Sequence, residues 1–176
     1  MAISSAALAY KRSALLTATK VTVKPPSEEV LRARDSFQDF CILMGKMPAK
    51  HMLEWHNELC TGKDSECLLG ISGPNTSILA PRGSAKSTVL GLFAAWMIGR
   101  HAAAKKMLRI LYIAYMVDIS RAKSATIKGI LASAKYREIF PMVRLSKIKR
   151  SDEYWSIDYE FAGIDTAGEE AFTIAC

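Results

Sequence analysis

The chain of 176 residues is half apolar by composition and carries a formal charge of +7. That is enough apolar material for one sizeable domain or part of a larger one, and the positive balance points to a polyanionic partner: a nucleotide, a nucleic acid or an acidic surface. No run of about 18 apolar residues occurs, which argues against a membrane-spanning helix. The four cysteines, Cys41, Cys60, Cys67 and Cys176, form no C-x-x-C pair and have no metal-spaced histidines nearby, so they read as reduced thiols of a cytosolic protein.

Residues 1–24 hold Lys11, Arg12, Lys20 and Lys24 and no acid, in an Ala/Ser/Thr-rich background. Lacking the arginine-rich amphipathic pattern of a transit peptide, they read as a flexible basic arm, either solvated or touching phosphates or a neighbouring subunit. Residues 25–72 form a helical segment. Pro25-Pro26 ends the arm, and Ser27-Glu28-Glu29 offers an N-cap hydroxyl followed by first-turn acids. Val30, Leu31, Phe37, Phe40, Cys41 and Met44 then recur at helical spacing, and Gly45 suits the stop, so one helix is expected. A second runs from His51 to Cys60, with Met52, Trp55 and Leu59 on one stripe. His51 and His56 are five apart, the wrong spacing for two metal ligands on one helical face. Residues 61–76 are a polar connection with three glycines and a proline, and nothing in them reads as catalytic.

Residues 73–176 carry the chemistry. Ile78 and Leu79 end an apolar run, a tight turn follows, and from Val89 the chain reads as helix. The stretch Ala80-Pro81-Arg82-Gly83-Ser84-Ala85-Lys86-Ser87-Thr88 therefore lies between a strand and a helix N-terminus, the layout of a phosphate-binding loop. Unpaired amides at a helix start surround phosphate oxygens, Lys86 reaches the β- and γ-phosphates, and the Ser87 hydroxyl meets Mg²⁺. Ala80 and Ala85 occupy the two glycine positions of the general G-x-x-x-x-G-K-[ST] pattern, so the loop must be built differently at Ala85.

Val89 to Arg100 is apolar almost all round, as in a helix buried against a sheet. Arg109 to Tyr115 is a nearly continuous apolar strand, and strand, helix, strand in this order predicts a right-handed βαβ unit in a three-layered α/β domain. A helix from Ile119 to Ala134 carries Arg121, Lys123 and Lys128. Arg144, Lys147, Lys149 and Arg150 form a basic patch, either a solvated loop or a DNA contact. Trp155 to Phe161 alternates as a half-wet strand, and Ala171 to Ala175 reads as another after a turn at Gly163 to Gly168. Asp158 and Asp165 do not qualify as a Mg²⁺-holding carboxylate, because neither ends a buried apolar strand.

Leu79 to Thr88, with its Pro-Arg-Gly start and a small residue ahead of the lysine, resembles the deviant Walker A loop of large terminase subunits, the ATPase motors that pump DNA into tailed-phage capsids. The helix after Met116-Val117-Asp118 and the aromatic-proline turn at Phe140-Pro141 add to a likeness that covers roughly residues 48 to 176. It implies an incomplete P-loop NTPase sandwich of the RecA/ASCE type, with ATP and Mg²⁺ as cofactors. It also implies Trp55 near the adenine, and Lys86 and Arg82 stabilising charge on the transferring phosphoryl group. Implied partners are double-stranded DNA, a portal protein and a small terminase subunit, around a homo-oligomeric ring working in the host cytoplasm, with no membrane. On this likeness the acid-bearing strand and a nuclease domain would lie beyond Cys176, and little ATP turnover is expected of this chain alone. Two rivals share the observations: another P-loop ATPase such as a helicase, and a non-catalytic basic nucleic-acid-binding module.

Overall fold

The computed structural model describes residues 25–60, 77–167 and 173–175. The basic arm, the connection over 61–76, Cys67, Cys176 and positions 168–172 fall outside the described residues.

Ser27 caps helix α1, Glu28–Asp35, by accepting from the Val30 amide at 3.4 Å, with Glu28 and Glu29 in the first turn as expected. The single helix anticipated up to Gly45 is two. Ser36 leaves the helical region (φ −116°, ψ 121°), and its hydroxyl accepts from the Asp39 amide to start α2, Phe37–Leu43. A serine side chain that satisfies a local amide competes with continued helix, and here it wins. Gly45, at φ 77°, follows α2. Helix α3 spans Lys50–Leu59 and buries His56, whose ring stacks 4.4 Å from Phe37.

Residues 77–80 form no strand, and Leu79 is 95 % exposed. The strand expected at Ile78-Leu79 is therefore not part of the sheet, because nothing among the described residues pairs with its backbone. Helix α4, Lys86–Ala103, begins three residues earlier than its apolar pattern suggested. It is the hub of the fold. Helices α1, α2 and α3 pack on it, and Trp96, fully buried, donates its indole N–H to the Ala33 carbonyl at 3.2 Å.

Strand β1 is short, Ile110–Leu111, although the apolar run continues to Tyr115. Among the described residues, Ile110 and Tyr112 of this run donate backbone hydrogen bonds to a neighbouring strand and its flank, at 2.8 and 2.9 Å, and Ile113 and Tyr115 are exposed. Helix α5, Val117–Ala132, packs on α4, and Ser133 caps a separate helix α6, Ala134–Ile139. The basic patch is a strand rather than a loop: β2, Leu145–Arg150. It pairs antiparallel with β3, Tyr154–Ile157. The longer strand expected up to Phe161 stops at Ile157 because Asp158 caps helix α7, Tyr159–Ala162, and Gly163 ends that helix at φ 66°. Strand β4, Ile174–Ala175, is antiparallel to β3 and parallel to β1, giving the sheet order β1-β4-β3-β2.

The fold is thus mixed α/β around a four-stranded mixed sheet. One buried cluster joins both parts: Trp96 and Phe93 from α4, Ile127 from α5, Phe140 after α6, and Trp155 and Ile174 from the sheet. Trp155 is locked by its indole N–H donating to Ser124 Oγ of α5 at 2.7 Å. Buried aromatic bodies with satisfied polar tips fix how the helices meet the sheet.

Candidate functional site

The loop ahead of α4 wraps a concavity of about 410 Å³ lined by Ala80 through Thr88 without a gap. Its course is set by a turn at Pro81 to Ser84, in which the Ser84 amide donates to the Pro81 carbonyl at 3.4 Å and Gly83 takes φ 86°. Ala85 then adopts the left-handed region (φ 57°, ψ 18°) and acts as N-cap of α4 without any side-chain cap. Its carbonyl accepts from the amides of Thr88 and Val89 at 2.9 and 3.0 Å. The amides of Lys86 and Ser87 have no acceptor among the described residues. Two open N–H groups at the positive end of an 18-residue helix are donors that can receive an anion, favoured there by the dipole.

Side chains extend the same chemistry. Ser84 Oγ is shut off from solvent and has no hydrogen-bond partner among the described residues, a local cost of the turn's geometry. Lys86 is half-buried, Arg82 is exposed, and neither forms an ion pair with a described residue. Helix α3 supports the loop from outside: the His51 ring nitrogen Nε2 lies 3.3 Å from the Ser84 carbonyl and donates to it in the tautomer protonated there. Trp55 meets the His51 ring edge-on, 4.9 Å between centroids. Trp55 therefore stands behind a loop support and does not line the concavity itself.

Among the described residues no cluster of three or more His, Cys, Asp or Glu could hold a metal ion, and no carboxylate lines the concavity. The exposed Ser87 and Thr88 hydroxyls are side-chain oxygens on the concavity that could meet Mg²⁺, Ser87 being the one directly after the lysine, with phosphate oxygens and water as co-ligands. Asp158 and Asp165 are occupied locally. Asp158 accepts from the Phe161 amide at 3.0 Å, and Asp165 from that of Ala167 at 2.9 Å.

The basic residues gather at the far edge of the sheet. Lys147, Lys149 and Arg150 lie on β2, the guanidinium of Arg144 stands 3.7 Å over the Phe161 ring, and Lys149 lies 5.3 Å over Tyr154. The acids of the β2–β3 turn face α5 instead. Asp152 takes a hydrogen bond from Lys128 at 2.7 Å, and that bond and charge hold its carboxyl below the ordinary value; Glu153 pairs with Arg121. With its acids turned toward α5, the β2 edge is left net positive.

The cysteines divide. Cys41 is a free thiol in the core, pushed up to about 12 by burial, and hence inert as a nucleophile. Cys60 is disulfide-bonded, which corrects the expectation of reduced thiols throughout. Among the described residues no helix is long and apolar enough to cross a membrane.

The spacing around Lys86 points to the loop, Ser84 included, whereas the support that His51 gives to that loop leaves no trace in the sequence, because the contact joins residues far apart in the chain. The chain matches no protein-family model, no curated protein and no solved structure.

Proposed function

We propose that residues 80–88 bind the phosphates of a nucleoside triphosphate, with ATP the first candidate, and that the chain is the ATP-binding part of a P-loop motor of the large-terminase type, acting on double-stranded DNA. The observation that carries the nucleotide reading is the loop's construction: the open amides of Lys86 and Ser87 follow a left-handed Ala85, on residues that all line one concavity. Lys86 then neutralises charge on the outer phosphates, and the exposed Arg82, in the turn that precedes Gly83, supplies a second cation to the transferring group. Mg²⁺, when bound beside Ser87, would screen the phosphate oxygens. The P-loop NTPase sandwich, the portal and small-subunit partners and the ring rest on the loop's resemblance alone.

The test is a titration of the purified chain with a fluorescent ATP analogue and Mg²⁺ at fixed salt, beside Lys86→Ala, with circular dichroism to show that both are folded. Binding by the wild-type chain and a loss of at least about tenfold in the variant are expected. Equal binding by both would remove Lys86 from the site. A second reading is favoured by the net-positive β2 edge: a basic module that binds nucleic acid without nucleotide chemistry. In that case duplex DNA binding would weaken steeply with salt and Lys86→Ala would leave it unchanged.

A further inference from the structure

We infer that Lys123 on α5 is a second cationic contact for the terminal phosphate of the bound nucleotide, and so a residue that separates triphosphate from diphosphate. This rests on the phosphate-loop reading above. Ser87 and Thr88 open not only onto the loop's own concavity but onto an adjoining cavity of about 320 Å³, which Lys46, Gly91, Tyr112 and Lys123 also line. Helices α4 and α5 wall it. They come together at Gly91, where a Cβ would lie 3.9 Å from Ile127 Cγ1. Residues four apart share a helical face, so Ser87 stands one turn before Gly91, and Lys123 one turn before Ile127, on the two faces that meet.

The state of Lys123 sets it apart from its neighbours on α5. Arg121 is paired with Asp118 and Glu153, and Lys128 with Asp152. Lys123 is half-buried and forms no hydrogen bond or ion pair with a described residue. Its ammonium group, with three donors and no protein acceptor among the described residues, is available to an anion in the cavity that it lines.

Which anion follows from the direction of the cavity. In a phosphate loop the backbone amides surround the inner phosphates, and the hydroxyl after the lysine marks the outer, metal-bearing end. Ser87 is that hydroxyl, and it shares a cavity with Lys123. The cavity on the other side of the loop, about 330 Å³ and walled by Phe37, Met47, Pro48 and Ala85, includes neither Ser87 nor Lys123. Lys123 therefore faces the outer end, where a triphosphate has a charged group and a diphosphate has none.

Fluorescent ATP and ADP analogues titrated into wild type, Lys86→Ala, Lys123→Gln and Lys123→Arg, with Mg²⁺ and a dichroism check, provide the test. Lys123→Gln should weaken ATP about tenfold and leave ADP within about twofold, and Lys123→Arg should recover most of the loss. Equal losses for both nucleotides, or no loss for either, would overturn the role of Lys123. The loop reading would survive that result if Lys86→Ala had lost both nucleotides. No binding of either nucleotide by the wild-type chain would remove the loop reading and this inference with it. If Lys123→Gln proves unfolded, Lys123→Met, which keeps the aliphatic stem, decides by the same ATP-to-ADP ratio.

Discussion

Ala85 is where the loop departs from its usual chemistry and where the departure has a cost. The general pattern has glycine there, and the observed φ of 57° explains why: a Cβ in the left-handed region crowds the backbone. Ala85→Gly should relieve that crowding and stabilise the chain by about 0.5–1 kcal/mol, after allowing for the freer unfolded state of glycine. A urea midpoint measured for both proteins checks this; a lower midpoint for the glycine variant would mean that the methyl group makes contacts worth more than the strain. The pattern around Lys86 made the loop legible because a lysine and a hydroxyl at a helix start are local features. Ser84 is legible as part of that loop, but the burial of its hydroxyl is not, since that depends on how the turn at Pro81 folds back.

Helix α4 owes its position to one close approach as well as to its apolar surface. Gly99 faces the Phe140 ring so tightly that a Cβ built there would lie 2.3 Å from Cδ2. The ring has little freedom to yield, being fully buried against Tyr136 at 5.3 Å and Phe40 at 6.3 Å between centroids. Gly99→Ala is therefore expected to destabilise by roughly 1–3 kcal/mol through overpacking, although alanine is the better helix former. Thermal unfolding reads the outcome, and an unchanged melting temperature would show that Phe140 can swing aside. Helical periodicity predicted α4 itself. It could not predict the break at Ser36 or the stop at Asp158, because in both a side chain takes up an amide that regular structure would otherwise use.

Across the whole molecule, apolar surface is unevenly placed. Leu111, Ile113, Tyr115, Met116 and Val117 are all at least half exposed along one end of the sheet. The core holds the opposite anomaly, a buried histidine. His101 donates from Nδ1 to the Met97 carbonyl at 2.9 Å in the last turns of α4. Burial holds its pKa below the ordinary 6.5, and the nearby cations Lys106 and Arg100 push the same way, against the pull of that hydrogen bond. The unfolded chain consequently binds a proton that the folded chain resists. Stability from this group is complete above the unfolded value and is lost as pH falls below about 6.5. Urea midpoints at about pH 7.5 and about pH 5.5 should therefore fall more for wild type than for a folded His101→Gln, which has no proton to take up there. Equal falls would assign the acid sensitivity to other groups.

The sequence by itself determined the parts whose signals are local: helices with capped starts and apolar faces, a loop leading into the helix that begins at Lys86, and a net positive charge. Only the tertiary structure decided the rest. It left Ile78 and Leu79 out of the sheet, trimmed the apolar run after Arg109 to two paired residues, turned the basic patch into an edge strand, and put Lys123 and Ser87 on the lining of one cavity. The physical reason is the same in each case. A strand exists only through the backbone that pairs with it, and a charge acquires a role only from the groups that share its cavity, and both depend on residues far apart in the chain.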